Sequence, residues 1–328
     1  VGLSRFIQIP ADSLMDEINE REKLTMTNQH LVTTILFAVV ITLAHISVPN
    51  VNASDNLEAL PPNQTAFAQR TLKFLAKIDA EFFDRVEKLN GGLELETQSV
   101  STEFADYDTK VARGPVVEKV GRAFHITKKP QTRFQKQNLW SRYHSFDVHP
   151  KTPLVGMLHT AFVIQFYPDG SSTLGGFLDI LPGATSEEDL AYLRETMDEV
   201  YAKYGIDGAP HRELSCQGHV DDDPLAMDNR YRRRTACVGG SFFSNPGMMD
   251  VTEKNFNFMT EAYERFIDAY MILIEKRKDA PYTVQDIAAQ DAMRRNWLED
   301  MLFSDPFTTN ITPYEVWSLS NLPPAVKF

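Results

Sequence analysis

Two cysteines in 328 residues are too few for a disulfide scaffold. Cys216 and Cys237 read either as one bridge in an exported chain or as two buried thiols, and spacing leaves both readings open. Basic residues are also short: 33 Lys and Arg stand against 45 Asp and Glu, a net charge of −12. That balance disfavours a nucleic-acid groove or an anionic membrane surface as the main partner. No glycine-rich phosphate loop, serine nucleophile elbow or HExxH helix is present, so nucleotide-dependent and common hydrolase chemistry lack support. Neither an internal repeat nor a low-complexity tract interrupts the chain.

One long apolar run is present, Leu31 to Val48, its polar members being threonines, His45 and Ser47. Pro49 and then Val51-Asn52-Ala53-Ser54 follow, the outline of a signal peptide cleaved after Ala53, although a basic segment is missing after Met26. The first 25 residues are largely polar and acidic, and a signal must lie near the N-terminus, so translation is expected to start at Met26. An uncleaved anchor and a buried core helix are the alternatives for the same run. The expectation is an extension over residues 1–60, with signal or anchor at about 31–53, and a domain over 61–328. The protein is accordingly read as exported or membrane-tethered, with a cytoplasmic location as the alternative.

Apolar spacing predicts a helix from Thr65 to Leu89, stopped by Asn90-Gly91-Gly92. Leu93–Phe104, Val116–Ile126 and Leu154–Tyr167 read as strands, and Pro168-Asp169-Gly170 turns the last into the strand that carries Asp179. A helix starts at Ser186 and runs to about Tyr204, and Asp207–Asn229 reads as a polar loop. A strand at Thr235–Phe243 and helices at Thr252–Lys278 and Thr283 to about Phe303 complete the pattern, an α+β arrangement with an antiparallel sheet.

The segment richest in chemistry is Leu174-Gly175-Gly176-Phe177-Leu178-Asp179-Ile180-Leu181-Pro182. Paired glycines permit close approach of a backbone or ligand, and a carboxylate on an apolar strand must be paired or given chemistry. The segment resembles the F-G-G-G-x-D-L-T-P signature of the oxygen-dependent coproporphyrinogen oxidase family, which decarboxylates propionate side chains of a tetrapyrrole. Further blocks follow in that family's order: Gly114 to Phe124; His149-Pro150-Lys151-Thr152-Pro153 with His159 after it; Gly239-Gly240-Ser241-Phe242-Phe243; Glu275 to Lys278; and Leu322 to Phe328. The resemblance runs from about Pro61 to the C-terminus.

It implies a broad antiparallel sheet covered on both faces by helices, a homodimer, a tetrapyrrole-like small-molecule substrate, molecular oxygen as co-substrate and no organic cofactor. It also implies that Asp179 engages a pyrrole N–H and holds the ring, that Gly175 and Gly176 lie against the substrate, and that His159 assists proton transfer. Arg232, Arg294 and Arg295 stand where arginines that pair carboxylates are expected. Other positions depart from the pattern. Gln165 replaces an arginine after His159, Ser244 and Asn245 replace two acids, and His125 falls one residue early, which on a strand points it to the opposite face, so that either a bulge compensates or His125 is not catalytic. The lost cations imply a smaller or less carboxylated substrate, or a non-catalytic relative that binds a tetrapyrrole or another planar ligand. His211, Cys216, His219 and Asp221 are chemically competent ligands within one loop, but their spacing fits no common structural zinc pattern and no metal is assigned.

Overall fold

The computed structural model describes residues 57–131, 135–217, 234–243, 247–300 and 311–328. The apolar run at 31–48, Arg232, His219, Asp221, Ser244 and Asn245 lie outside the described residues. After a single 3-10 turn at Leu57–Ala59, helix α1 (Pro62–Asn90) starts with a proline in its first turn, where the missing N–H is no loss. It ends at Gly91, whose φ of 72° is the left-handed value that glycine adopts without cost.

Seven strands then form one antiparallel sheet in chain order: β1 (Glu94–Ser101), β2 (Ala105–Arg113), β3 (Val117–Thr127), β4 (Trp140–Pro150), β5 (Met157–Phe166), β6 (Ser172–Leu181) and β7 (Gly240–Ser241). Between β6 and β7 lie α2 (Glu187–Tyr204) and α3 (Gly208–Gln217), and after β7 come α4 (Glu253–Arg277), α5 (Val284–Glu299) and α6 (Tyr314–Ser320). Ser186 caps α2, Thr252 caps α4, and Thr283 with Asp286 makes a reciprocal capping box on α5. Among the described residues no helix is long and apolar enough to cross a membrane.

The alternation of side chains gives the sheet two chemically different faces. One is closed by α1 and α4 over the main apolar core: Phe82 of α1 stacks on Phe146 at 4.2 Å, and the Tyr270 hydroxyl of α4 donates to the Val148 carbonyl. Among its polar members His144 is paired, hydrogen-bonding with Asp79 at 2.7 Å and with Tyr263 at 2.9 Å. The other face is covered at one end by α5 and α6, where Met157, Leu181, Met293 and Trp297 form a small cluster. At its other end it opens into a cavity.

Two expectations differ from this architecture. The polar segment after Asp207 begins with helix α3, and the strand at Thr235–Phe243 is reduced to two residues. Ala236 N–H still donates to the Ile180 carbonyl, so the segment before β7 follows β6 without a continuous ladder.

Candidate functional site

Register sets out the site. Gly121, Asp147, His159 and Asp179 are directly paired across β3, β4, β5 and β6, and therefore share one face. The next row along that face is Ala123, Ser145, Ala161 and Phe177, and the one beyond it is His125, Tyr143, Val163 and Gly175. An acidic and imidazole-bearing row, a row of mostly small side chains and an aromatic row thus follow one another on the open side of the sheet. Rows on one face lie about 7 Å apart.

The first row is sealed. His159 Nδ1 meets Asp147 Oδ1 at 2.5 Å, and Asn321 donates its amide to Asp147 Oδ2 at 2.6 Å. The His159 ring packs between Phe177 and Trp297, and Trp297 Nε1 donates to the Asn321 carbonyl. Gly121 makes this closure possible, because a Cβ there would lie 1.9 Å from the Ser320 carbonyl oxygen at the end of α6.

Asp179 is wholly buried. Its Oδ1 accepts from the backbone N–H groups of Ile180 (2.9 Å) and Val238 (3.3 Å), and its Oδ2 from the Ser215 hydroxyl at 2.5 Å. Burial pushes its carboxyl up to about 6, and the hydrogen bonds, led by that of Ser215, restrain the rise. Cys216 and Cys237, the neighbours of Ser215 and Val238, form a disulfide with Cα atoms 5.4 Å apart. That pairing takes Cys216 out of the ligand set considered with His211, whose Nδ1 lies 3.3 Å from the Ser241 carbonyl. Among the described residues no group of three His, Cys, Asp or Glu side chains is placed to hold a metal.

The aromatic row lines a cavity of about 260 Å³. Tyr107, His125, Tyr143, Tyr167, Phe104 and Phe243 give its walls, and Lys129 and Lys136 stand exposed at its rim. His125 stacks on Tyr143 at 4.3 Å and meets Tyr107 edge-on at 5.4 Å. Desolvation pushes its imidazole down to about 4, so at neutral pH it is uncharged. Of the two readings open for His125, the structure has the imidazole facing the cavity, and β3 carries an irregularity in register between Val117 and Lys119 that resets its pairing with β4. Tyr107 has its hydroxyl pushed up to about 12 by burial.

Of the other residues singled out in the sequence, Gln165 reaches the cavity, where its Oε1 accepts from the Tyr167 hydroxyl at 2.8 Å. Gly175 and Gly176 serve close packing: a Cβ on the first would lie 2.4 Å from the Phe242 carbonyl oxygen, and on the second 2.3 Å from that of Ala161. Arg294 is buried against Glu118 at 2.5 Å, and Arg295 donates to the Lys327 carbonyl at 2.8 Å. Neither lines the cavity. Tyr107 and Tyr143 were missed because β2 and β4 were not read as strands, and the signal that locates them is their pairing with His125 across β3.

Residues 68–311 match the family model described as coproporphyrinogen III oxidase. The chain belongs to the coproporphyrinogen III oxidase family. A relative, the chloroplastic oxygen-dependent coproporphyrinogen-III oxidase of Hordeum vulgare, is 29% identical over 171 residues, covering 49% of this chain and 41% of that protein. The family's acid signature falls on β6 and its H-P-x-x-P block on the end of β4 and the following turn, so both lie beside the sealed row.

Proposed function

We propose that this member of the coproporphyrinogen III oxidase family is an oxygen-dependent oxidative decarboxylase whose substrate is an electron-rich ring with fewer carboxylates than coproporphyrinogen III. The observation that carries the reading is the aromatic cavity on the same sheet face as Asp147, His159 and Asp179, with Lys129 and Lys136 as the cations among its described lining residues. Aromatic walls suit the π-face of a pyrrole-type ring, and two rim lysines suit one or two carboxylates. At about 260 Å³ the cavity is just under the usual range of roughly 300–1,000 Å³, room for one ring or one edge of a macrocycle.

The reaction takes a hydride equivalent, two electrons and one proton, from the side-chain carbon next to the ring, and the bond to the carboxylate breaks to release CO₂ and leave a vinyl group. Oxygen, with one further proton, takes up the hydride equivalent and leaves as hydrogen peroxide. In this reading a ring that enters by the aromatic row extends toward the sealed row, where Asp179, once its internal hydrogen bonds open, accepts a ring N–H and favours the positive charge that grows as the ring is oxidised, while His159, held by Asp147, moves a proton. Lys129 and Lys136 take the carboxylates, because Arg294 and Arg295 are engaged elsewhere. The alternative, a binding module for a planar ligand, draws support from the internal hydrogen bonds that already satisfy Asp179.

Aerobic incubation of the full chain with di- and tetracarboxylic porphyrinogens, followed by mass analysis, separates these readings. The proposal expects loss of 44 mass units as CO₂, plus two hydrogens, from the less carboxylated substrate in preference. Binding of both without mass change supports the binding module. The disulfide also supports export, since such bonds persist in oxidising compartments. Fusing residues 26–60 to a reporter active only outside the cytoplasm tests it, and an inactive fusion contradicts it.

A further inference from the structure

The two cysteines flank two of the residues that reach across to Asp179 from outside β6, the third being Gly239 beside Val238. Cys216 follows Ser215, the hydroxyl donor to Oδ2, and Cys237 precedes Val238, an N–H donor to Oδ1. Thr235 ties the same segments together, its Oγ1 donating to the Ser215 carbonyl at 3.0 Å and lying 3.1 Å from the Ser215 hydroxyl. These contacts close a ring of short links around one buried carboxylate: β6, the C-terminal end of α3, the disulfide and the strand-like segment entering β7.

The backbone of that segment bears the mark of being held. Arg234 and Cys237 adopt φ values of 53° and 58°, and among the described residues they are the two non-glycine positions in the left-handed region. Such conformations persist where surrounding structure over-determines them. The disulfide is a constraint that acts directly on Cys237, and both cysteines are half-buried rather than enclosed in the core.

We propose that the Cys216–Cys237 disulfide is a redox-sensitive clamp that positions Ser215 and Val238 on the Asp179 carboxylate. Oxidised, it keeps Asp179 internally satisfied. Reduction by an external dithiol breaks the S–S bond: two electrons and two protons pass to Cys216 and Cys237, and the dithiol leaves as its own disulfide. The left-handed segment then relaxes, the Ser215 and Val238 contacts loosen, and the carboxylate becomes available to a ligand donor. Ser215 and the disulfide are positioning elements, and their effect on ligand binding rests on the reading of Asp179 as the ring-holding acid.

The test uses the full chain, oxidised and dithiol-reduced, with a dicarboxylic porphyrin as the binding probe and hydrogen exchange of the Val238 amide as a readout that needs no ligand. Reduction is expected to speed Val238 exchange at least tenfold and to strengthen probe binding several-fold. In Asp179→Asn the exchange response persists but the binding response disappears. Cys237→Ser should reproduce the reduced state without dithiol, and Ser215→Ala should strengthen binding with the disulfide intact, so the proposal does not hang on one variant folding. Unchanged Val238 exchange on reduction overturns the clamp, as does a binding response of equal size in Asp179→Asn. If Val238 exchange responds while no form binds the probe, the clamp stands and the ring-holding role of Asp179 fails.

Discussion

Asp179 and His125 put opposite signs on the pH dependence of stability. The folded value of Asp179, about 6 against an ordinary 3.8, means that between about pH 4 and 6 the folded state keeps a proton the unfolded chain has released. Stability from this group therefore falls as pH rises through that window, by about 3 kcal/mol at about 1.4 kcal/mol per unit, and is level above it. His125, depressed to about 4 from 6.5, works the other way: the unfolded chain binds the extra proton, so stability rises with pH between about 4 and 6.5. Asp179→Asn keeps the shape and deletes the first effect. The variant should gain on wild type progressively from pH 4 to 6, to about 3 kcal/mol, in urea-unfolding midpoints read across pH. Parallel profiles for the two proteins would contradict the buried, proton-retaining state. The acid itself was legible in the sequence, because a carboxylate among Phe177, Leu178, Ile180 and Leu181 has few structural reasons to be there. Its partners were not legible, since Ser215 and Val238 approach from segments with no periodic pattern.

Helices with a clean apolar stripe were readable, and strands buried on both faces were not. Residues such as Leu75, Ile78, Phe82 and Val86 give α1 its stripe, and α4 carries the same signal through Phe256, Met259, Tyr263, Phe266 and Tyr270. β4 escaped notice because Arg142, His144, Asp147 and His149 are all buried, so polarity alternates with nothing along Trp140–Pro150. α3 escaped because Gly208, Pro210 and its polar residues mimic a loop. Glycine provides the sharpest test at this scale. Gly121→Ala would place a methyl group 1.9 Å from the Ser320 carbonyl oxygen, so α6 and Asn321 must move off the sheet. We expect a loss of about 1–3 kcal/mol or more in denaturant unfolding. Gly92→Ala, with nothing within 4 Å and no positive φ, should fall within about 0.5 kcal/mol of wild type. Equal stability of the two variants would contradict the close seating of α6. Thr283→Ala, which removes the side-chain half of the α5 capping box and leaves the backbone N–H of residue 283 on Asp286, should cost about 1 kcal/mol by the same measurement.

Across the whole molecule, the excess of acid shapes what can bind. With a net charge of −12, carboxylates are repelled except where cations are local, and two of the buried cations are already ion-paired, Arg294 with Glu118 and Arg122 with Asp79 and Asp108. Lys129 and Lys136 remain at the cavity rim, the first sharing its charge with Glu103 at 2.6 Å. Replacing both by Gln should weaken binding of a dicarboxylic tetrapyrrole about ten- to a hundredfold and flatten its salt dependence, read by titration at two ionic strengths. An unchanged affinity would place the carboxylates elsewhere. The fold-level outline, an antiparallel sheet with helices against it, was legible because motif order and helix periodicity agree. The cavity was not, because its walls come from Tyr107, His125 and Tyr143 on three strands that only the meander brings into one row, with Tyr167 just past the end of β5. A diffraction structure of the full chain with a bound dicarboxylic tetrapyrrole tests the central claim most directly. The account predicts a ring edge against Tyr107, His125 and Tyr143 with a carboxylate at Lys129 or Lys136; a ligand seated instead in the groove between Arg234 and Met293 would contradict it.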